Sequence, residues 1–231
     1  MPRALFSALF CGETFDTEEL REFQKLAVNY RLGAGETIFS EGELADSVFG
    51  LSRGVVRLYK ALPDGRRQIL IFALPGEFLG LALANRHSAS AEAIGEVAVC
   101  RFSRVELRKF SQSSPNLVRL LLEFTARQLE LTQDQLLLIS KGTAAEKVAT
   151  FLVDWRSRLL RVTAVSERVP LPMPRQDIAD FLGLTLETVS RTLTKLEQRN
   201  AIRIVPKGVL LTGLEQTSLV LARACEPHIP N

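Results

Sequence analysis

Scarcity excludes several classes at once. The 231 residues include three cysteines, Cys11, Cys100 and Cys225, widely separated and odd in number. That is no disulfide framework, and it suits a reducing cytoplasm. Two histidines, His87 and His228, lie far apart in the chain. No clustered metal ligands and no nucleophile–base pattern emerge, so no catalytic residue and no metal site are assigned. Long apolar runs are also missing. None approaches the roughly 20 residues needed to span a bilayer, so no membrane partner is expected. The opening "MPRALFSALFCGETFDTEELREF" lacks the apolar core of a signal peptide.

Charge is balanced overall, with a formal net value of +3, but it is unevenly placed. Residues 1–141 carry 17 Lys/Arg and 17 Asp/Glu, whereas residues 142–231 carry 12 and 9. The surplus of positive charge lies in the C-terminal part, where it suits a polyanion.

From about Tyr30 to Phe102, short β-branched runs alternate with glycines, and "PDG" at 63–65 is a hairpin signal. Strands at this interval predict a compact β barrel or sandwich. The glycines form no GxGxxG or Walker pattern and are read as turn formers. Next comes "SSPNLVRLLLEFTARQLELTQDQLLLIS", with Ser114 as N-cap and Pro115 at the first helical position. This helix carries two apolar rows. One is Leu117, Leu121, Phe124, Leu131 and Leu138; the other is Val118, Leu122, Leu129, Leu136 and Ile139. Two apolar rows need two covers, one of them the β domain and the other a second copy of the helix. The alternative is a helix buried on both sides within its own chain. The first row is assigned to dimerisation. Gly142 breaks the helix, giving three segments: 1–110, 111–141 and 142–231.

The C-terminal segment holds the densest signal. "RQDIADFLGL" reads as an amphipathic helix, Gly183 as a turn, and Thr185 as the N-cap of "LETVSRTLTKLEQRN". In that second helix Val189, Leu193 and Leu196 point one way, while Glu187, Ser190, Arg191 and Thr194 point the other. Glu187 and Arg191, spaced i, i+4, form a pair worth about 0.2–0.5 kcal/mol on a solvated helix. "AIRIVPKGVLLT" reads as a β wing. Helix, glycine turn, helix and wing make a winged helix-turn-helix, whose second helix enters the major groove of DNA.

"GETIFSEGE…FGLSRGVVRLYK…DGRRQILIFALPGEFLG" and "MPRQDIADFLGLTLETVSRTLTKLEQRNAI" together resemble the CRP/FNR superfamily of bacterial transcription regulators over nearly the whole chain. The "ETVSR" core is similar to the FNR and FixK branches. The resemblance implies an α+β fold: an N-terminal β-roll, jelly-roll-like sensor domain, a long dimerisation helix and a C-terminal winged helix-turn-helix. It also implies a homodimer that binds double-stranded DNA at TTGAT half-sites arranged as a palindrome, and that contacts RNA polymerase, more usually as an activator. Arg191 is then expected on guanine, Glu187 on cytosine, Ser190 on several base edges and Leu186 on a thymine methyl. Arg175, Thr185, Thr188, Thr192 and Lys195 are expected on the phosphate backbone.

The same resemblance sets expectations for the sensor. The cyclic-AMP branch uses a Gly-Glu pair and an Arg-Ser pair; here the corresponding places read Gly80-Leu81 and "HSASAEAI", without arginine. Cyclic nucleotide is therefore not expected. Three cysteines cannot supply four thiolates within one chain, so no [4Fe–4S] cluster is expected. Haem is the alternative cofactor. Haem-binding relatives can use a histidine where His87 lies, and Pro2 resembles one such relative's terminus, but "LALANRHSAS" does not reproduce the ligand segment. An unidentified small ligand is the other alternative. Cys11 is the candidate redox thiol, and Cys100 a packing residue. A cupin-like β-barrel enzyme is the remote reading, weakened by the missing histidines.

Overall fold

A computed structural model describes residues 15–212, apart from 83, 141 and 164–166. It falls into two compact units that divide between Thr132 and Gln133. Cys11, Cys225, His228 and Pro2 lie outside the described residues.

The first unit opens with helix α1 (Thr17–Lys25), capped by Asp16, whose carboxylate accepts from the Glu18 and Glu19 amides. Six antiparallel strands follow: β1 (Ala27–Leu32), β2 (Thr37–Phe39), β3 (Ser47–Ala61), β4 (Arg67–Ala73), β5 (Phe78–Leu79) and β6 (Ser90–Ser103). The order is β1-β6-β3-β4, with β2 paired to β6 and β5 to β3. β3 and β6, the two long strands, pair across most of their length. The "PDG" signal forms the β3–β4 turn, closed by the Leu62 amide donating to the Arg66 carbonyl at 2.7 Å. Alternate residues fill the roll: Phe39, Phe49, Leu51, Val56, Val97 and Val99 form one buried cluster. A second cluster joins Phe23 of α1 to Phe102, with ring centroids 4.7 Å apart. This unit is the β-roll expected from the sequence.

Helix α2 (Arg104–Ser113) leads into helix α3 (Pro115–Ser140). Ser114 caps α3 as expected, its hydroxyl accepting from the Leu117 amide at 3.0 Å. The two apolar rows of α3 have different fates. Leu117 is fully buried in the second cluster, with Leu121 and Phe124 packed against it, and the Phe124 ring meets Phe78 edge-on at 5.8 Å. Val118, Leu122, Leu129 and Leu136 are instead exposed, the last three by 59–65%. The row assigned to dimerisation is therefore used inside the chain at Leu117, Leu121 and Phe124, while Leu131 and Leu138 are half-buried. The other row is uncovered except at Ile139, which is half-buried.

In the second unit, helix α4 (Ala144–Leu160) begins at a capping box formed by Thr143 and Glu146. Its buried face, Val148, Phe151, Leu152 and Trp155, forms a core with helix α5 (Arg175–Leu182) and helix α6 (Leu186–Gln198). Strands β8 (Ile202–Val205) and β9 (Gly208–Leu211) make the expected wing. A third strand, β7 (Arg168–Pro170), joins it in the order β7-β9-β8. Pro170 is tolerated because β7 is an edge strand, where a missing amide breaks no ladder. The Trp155 indole N–H donates to the Pro170 carbonyl at 2.8 Å and ties this edge to α4. Among the described residues no helix is long and apolar enough to cross a membrane.

Candidate nucleic-acid interface

The turn between α5 and α6 depends on one residue. Gly183 ends α5 in the left-handed region, at φ 65°, where a Cβ would be strained. The Leu184 amide then reaches back to the Ala179 carbonyl at 3.0 Å, and the chain turns sharply. Thr185 starts α6 by accepting from the Thr188 amide at 3.1 Å, and the two threonine hydroxyls meet at 2.8 Å. Sequence thus sets the angle between the helices through a residue with no side chain and the start of α6 through a hydroxyl.

α6 buries Val189, Leu193 and Leu196, as its periodicity predicts. Glu187 and Arg191 lie on the outer side and form an ion pair, Arg191 Nη2 to Glu187 Oε1, at 2.5 Å. Both side chains remain largely exposed, at 69% and 75%, so the pair is solvated and available. Leu186 is exposed at the start of the helix, and Ser190 is half-buried between the outer and inner faces. Arg175 and Lys195 are exposed at the start of α5 and toward the end of α6, Thr185 is exposed, and Thr188 is half-buried. Thr192 differs from its assignment: it is 6% exposed and belongs to the inward row. Its position, three residues beyond Val189, puts it on the core side of the helix. The outer surface therefore gathers Leu186, Glu187, Arg191, Arg175 and Lys195, with Ser190 at its margin and Thr192 outside it.

The structure adds cations that the sequence reading did not single out. Arg199, Arg203 and Lys207 are exposed, and no carboxylate among the described residues pairs with them. Lys207 occupies the wing turn at φ 54°, and Arg168 Nη2 donates to the Pro206 carbonyl at 2.8 Å, bracing that turn. The "PKG" turn, already visible in the sequence, carried this signal in its lysine. Wing and helix are fastened together: Glu197 Oε1 accepts from the Ile204 amide at 2.7 Å, and the Thr212 hydroxyl donates to the Asn200 carbonyl at 2.5 Å.

In the first unit, Cys100 is buried. Its thiol lies 3.2 Å from Asn29 Oδ1, and burial pushes its pKa up to about 11. A thiol held protonated in this way is a poor nucleophile and a packing residue. His87 is buried and stacked on Phe39, with ring centroids 3.9 Å apart. Among the described residues no group of three or more His, Cys, Asp or Glu could hold a metal ion.

Residues 30–114 match the family of cyclic nucleotide-binding domains, and residues 171–202 match the bacterial regulatory proteins of the crp family. The chain is 55% identical over 199 residues to the transcriptional activatory protein AadR of Rhodopseudomonas palustris, covering 86% of this chain and 83% of that one. It is 50% identical over 208 residues to the nitrogen fixation regulation protein FixK of Bradyrhizobium diazoefficiens, covering 90% and 87%. Among solved structures, FixK2 of Bradyrhizobium japonicum superposes with a TM-score of 0.77 at 38% identity, covering 84% of this chain and 96% of that one.

Proposed function

The chain belongs to the CRP/FNR superfamily of bacterial regulatory proteins, on its FixK-like branch, and we propose that it acts as a homodimeric transcription activator on a TTGAT-N4-ATCAA palindrome. A DNA-binding transcription regulator, not an enzyme, is what its relatives are. The observation that carries the finer reading is the outer face of α6, where Leu186, Glu187 and Arg191 stand clear of the core at the start of a capped helix.

Each group has a base edge it suits. The Arg191 guanidinium donates two parallel hydrogen bonds to guanine O6 and N7, Glu187 accepts from a cytosine amine, and Leu186 touches a thymine methyl. Ser190, at the margin of this face, serves either a donor or an acceptor edge. Arg175, Lys195, Thr185 and Thr188 position the helix on phosphates, and Arg203 and Lys207 extend that contact to the flank. In the free protein the ion pair with Glu187 restrains Arg191, limiting the rotamers lost on binding.

The homodimer is assigned to the exposed row of α3. Val118, Leu122, Leu129 and Leu136 recur at the spacing of a coiled-coil seam, and a second copy of α3 covers them. Two reading helices then fall one helical turn apart on DNA, about 34 Å. Activation, the role in the name of the relative AadR, implies contact with RNA polymerase.

We further propose that binding needs neither cyclic nucleotide nor an iron–sulphur cluster. The cavity between the roll and α3, about 200 Å³, is lined by Leu58, Glu77, Gly80, Leu81, Thr125 and Gln128 among others, with no cation in its lining among the described residues. A phosphate there would meet a carboxylate and no counter-charge. The test is fluorescence anisotropy of effector-free protein on the TTGAT-N4-ATCAA duplex and on a scrambled duplex. Tight, sequence-dependent binding is the expected result; equal binding to both sinks the reading.

A further inference from the structure

A second cleft opens on the roll, separate from the cavity beside α3. Its volume is about 760 Å³, within the range of small-molecule sites. Phe39, Phe49 and Val99 belong to its lining and are buried, and Leu44, 64% exposed, stands at its rim. His87 also lines it. The imidazole is 5% exposed and lies nearly parallel to the Phe39 ring, at 17°. Among the described residues neither ring nitrogen has a hydrogen-bond partner, and neither is sealed from solvent. An imidazole that lines the cleft with no protein partner on its nitrogens is free to bond what enters there.

The charges around this floor define the partner's sign. Three carboxylates line the cleft, Glu36, Glu43 and Asp46, against two guanidinium groups, Arg31 and Arg101. Arg101 is committed within the protein: its Nε donates to the Ser47 hydroxyl at 2.8 Å, and its Nη2 lies 3.5 Å from Asp46. Glu43 uses one oxygen to accept from the Ser40 amide at 2.9 Å, and Glu36 uses one to accept from the Gly33 amide. Each keeps a second oxygen for an outside donor. A neutral imidazole offers one further acceptor. These groups do not converge as metal ligands, so they suit an extended organic cation rather than a bare ion.

We propose that this cleft binds a small organic cation, a primary ammonium on an aromatic or branched apolar body. The ammonium donates to Glu43 and the imidazole of His87, and the apolar body lies against Phe49 and Leu44. Nothing in this assignment depends on how α6 reads DNA.

Isothermal titration calorimetry of the full chain with 2-phenylethylammonium tests it, at about pH 7.5, where an amine of this kind is protonated. Saturable binding is expected with a Kd on the order of 1 mM or tighter. Phenylacetate, of similar size and opposite charge, is expected to bind at least about tenfold more weakly. Glu43→Gln keeps an exposed side chain of the same shape and is expected to weaken the amine about tenfold. His87→Asn is the second variant, and because it touches the core the Glu43 result stands without it. Amide chemical-shift changes are expected at Phe39, Glu43, Ser47 and His87. No saturable heat up to about 10 mM, equal binding of phenylacetate, unchanged affinity in Glu43→Gln, or shifts confined to Gly80 and Gln128 would each overturn the proposal.

Discussion

Replacing Arg191 by alanine separates its ion pair with Glu187 from the base reading proposed for it. In the free protein it is bonded to Glu187 at 2.5 Å, with both groups mostly in water. An i, i+4 pair in that setting contributes about 0.2–0.5 kcal/mol. Alanine also favours a helix slightly over arginine, which offsets part of the loss. For a chain of this size about 1 kcal/mol moves the melting temperature by roughly 2–4 °C, so the shift is expected to stay within about 2 °C. Binding is a different matter. Loss of a bidentate arginine–guanine contact costs about 1–3 kcal/mol per reading helix, a factor of roughly 5 to 150 in Kd. Two copies in a dimer double that free energy on a full palindrome, provided the half-sites act independently. The assay is anisotropy at one fixed salt concentration, with the TTGAT duplex and a duplex altered at the guanine. Wild type is expected to discriminate between them, and Arg191→Ala to bind both alike. If the variant still discriminates as wild type does, the reasoning from the exposed pair to base reading is wrong.

Three further outcomes follow from the same structure. If Lys207 and Arg203 hold phosphates in the proposed dimer, Lys207→Ala and Arg203→Ala are each expected to lower the slope of log K against log salt by about 1.8, leaving sequence preference intact; an unchanged slope removes the wing from the interface. Leu129→Glu places a charge in the seam proposed between two α3 helices, and sedimentation is expected to show a monomer with a normal melting curve, since Leu129 is 59% exposed in the single chain; a variant that stays dimeric moves the interface elsewhere. His87 gives a pH dependence. Burial lowers its pKa against the pull of Glu43 and Asp46, with Arg104 acting in the same sense as burial. The unfolded imidazole, at about 6.5, therefore takes up a proton more readily than the folded one, and stability falls as pH drops below about 6.5. Urea midpoints at pH 7 and pH 5 are expected to differ less in His87→Gln than in wild type.

The helix-turn-helix was legible because its signals are local. Gly183 has one conformation to supply and Thr185 one amide to cap, and both act within four residues. Ser114 was legible for the same reason. The two rows of α3 could not be ranked this way. Periodicity shows that Leu117 and Leu122 point in different directions, but which one meets Phe23 and Phe102 depends on strands far away in sequence. Thr192 was misplaced because a threonine carries a methyl and a hydroxyl, and composition does not say which of them faces a core. The cleft around His87 is a further case: its walls come from β1, β2, β3, β6 and the loops before β2, β3 and β6, and no short window contains them.

The fastening between α6 and the wing has a consequence for flanking DNA. Glu197 bonded to the Ile204 amide leaves the wing little freedom to tilt while the helix sits in its groove. In the proposed complex, a rigid pair of contacts sets the distance between the base edges being read and the phosphates beside them. Duplexes that reach that distance without bending bind at no elastic cost, and stiffer or differently shaped flanks must be deformed to fit. Base pairs that no side chain touches thereby enter the choice of site through their deformability.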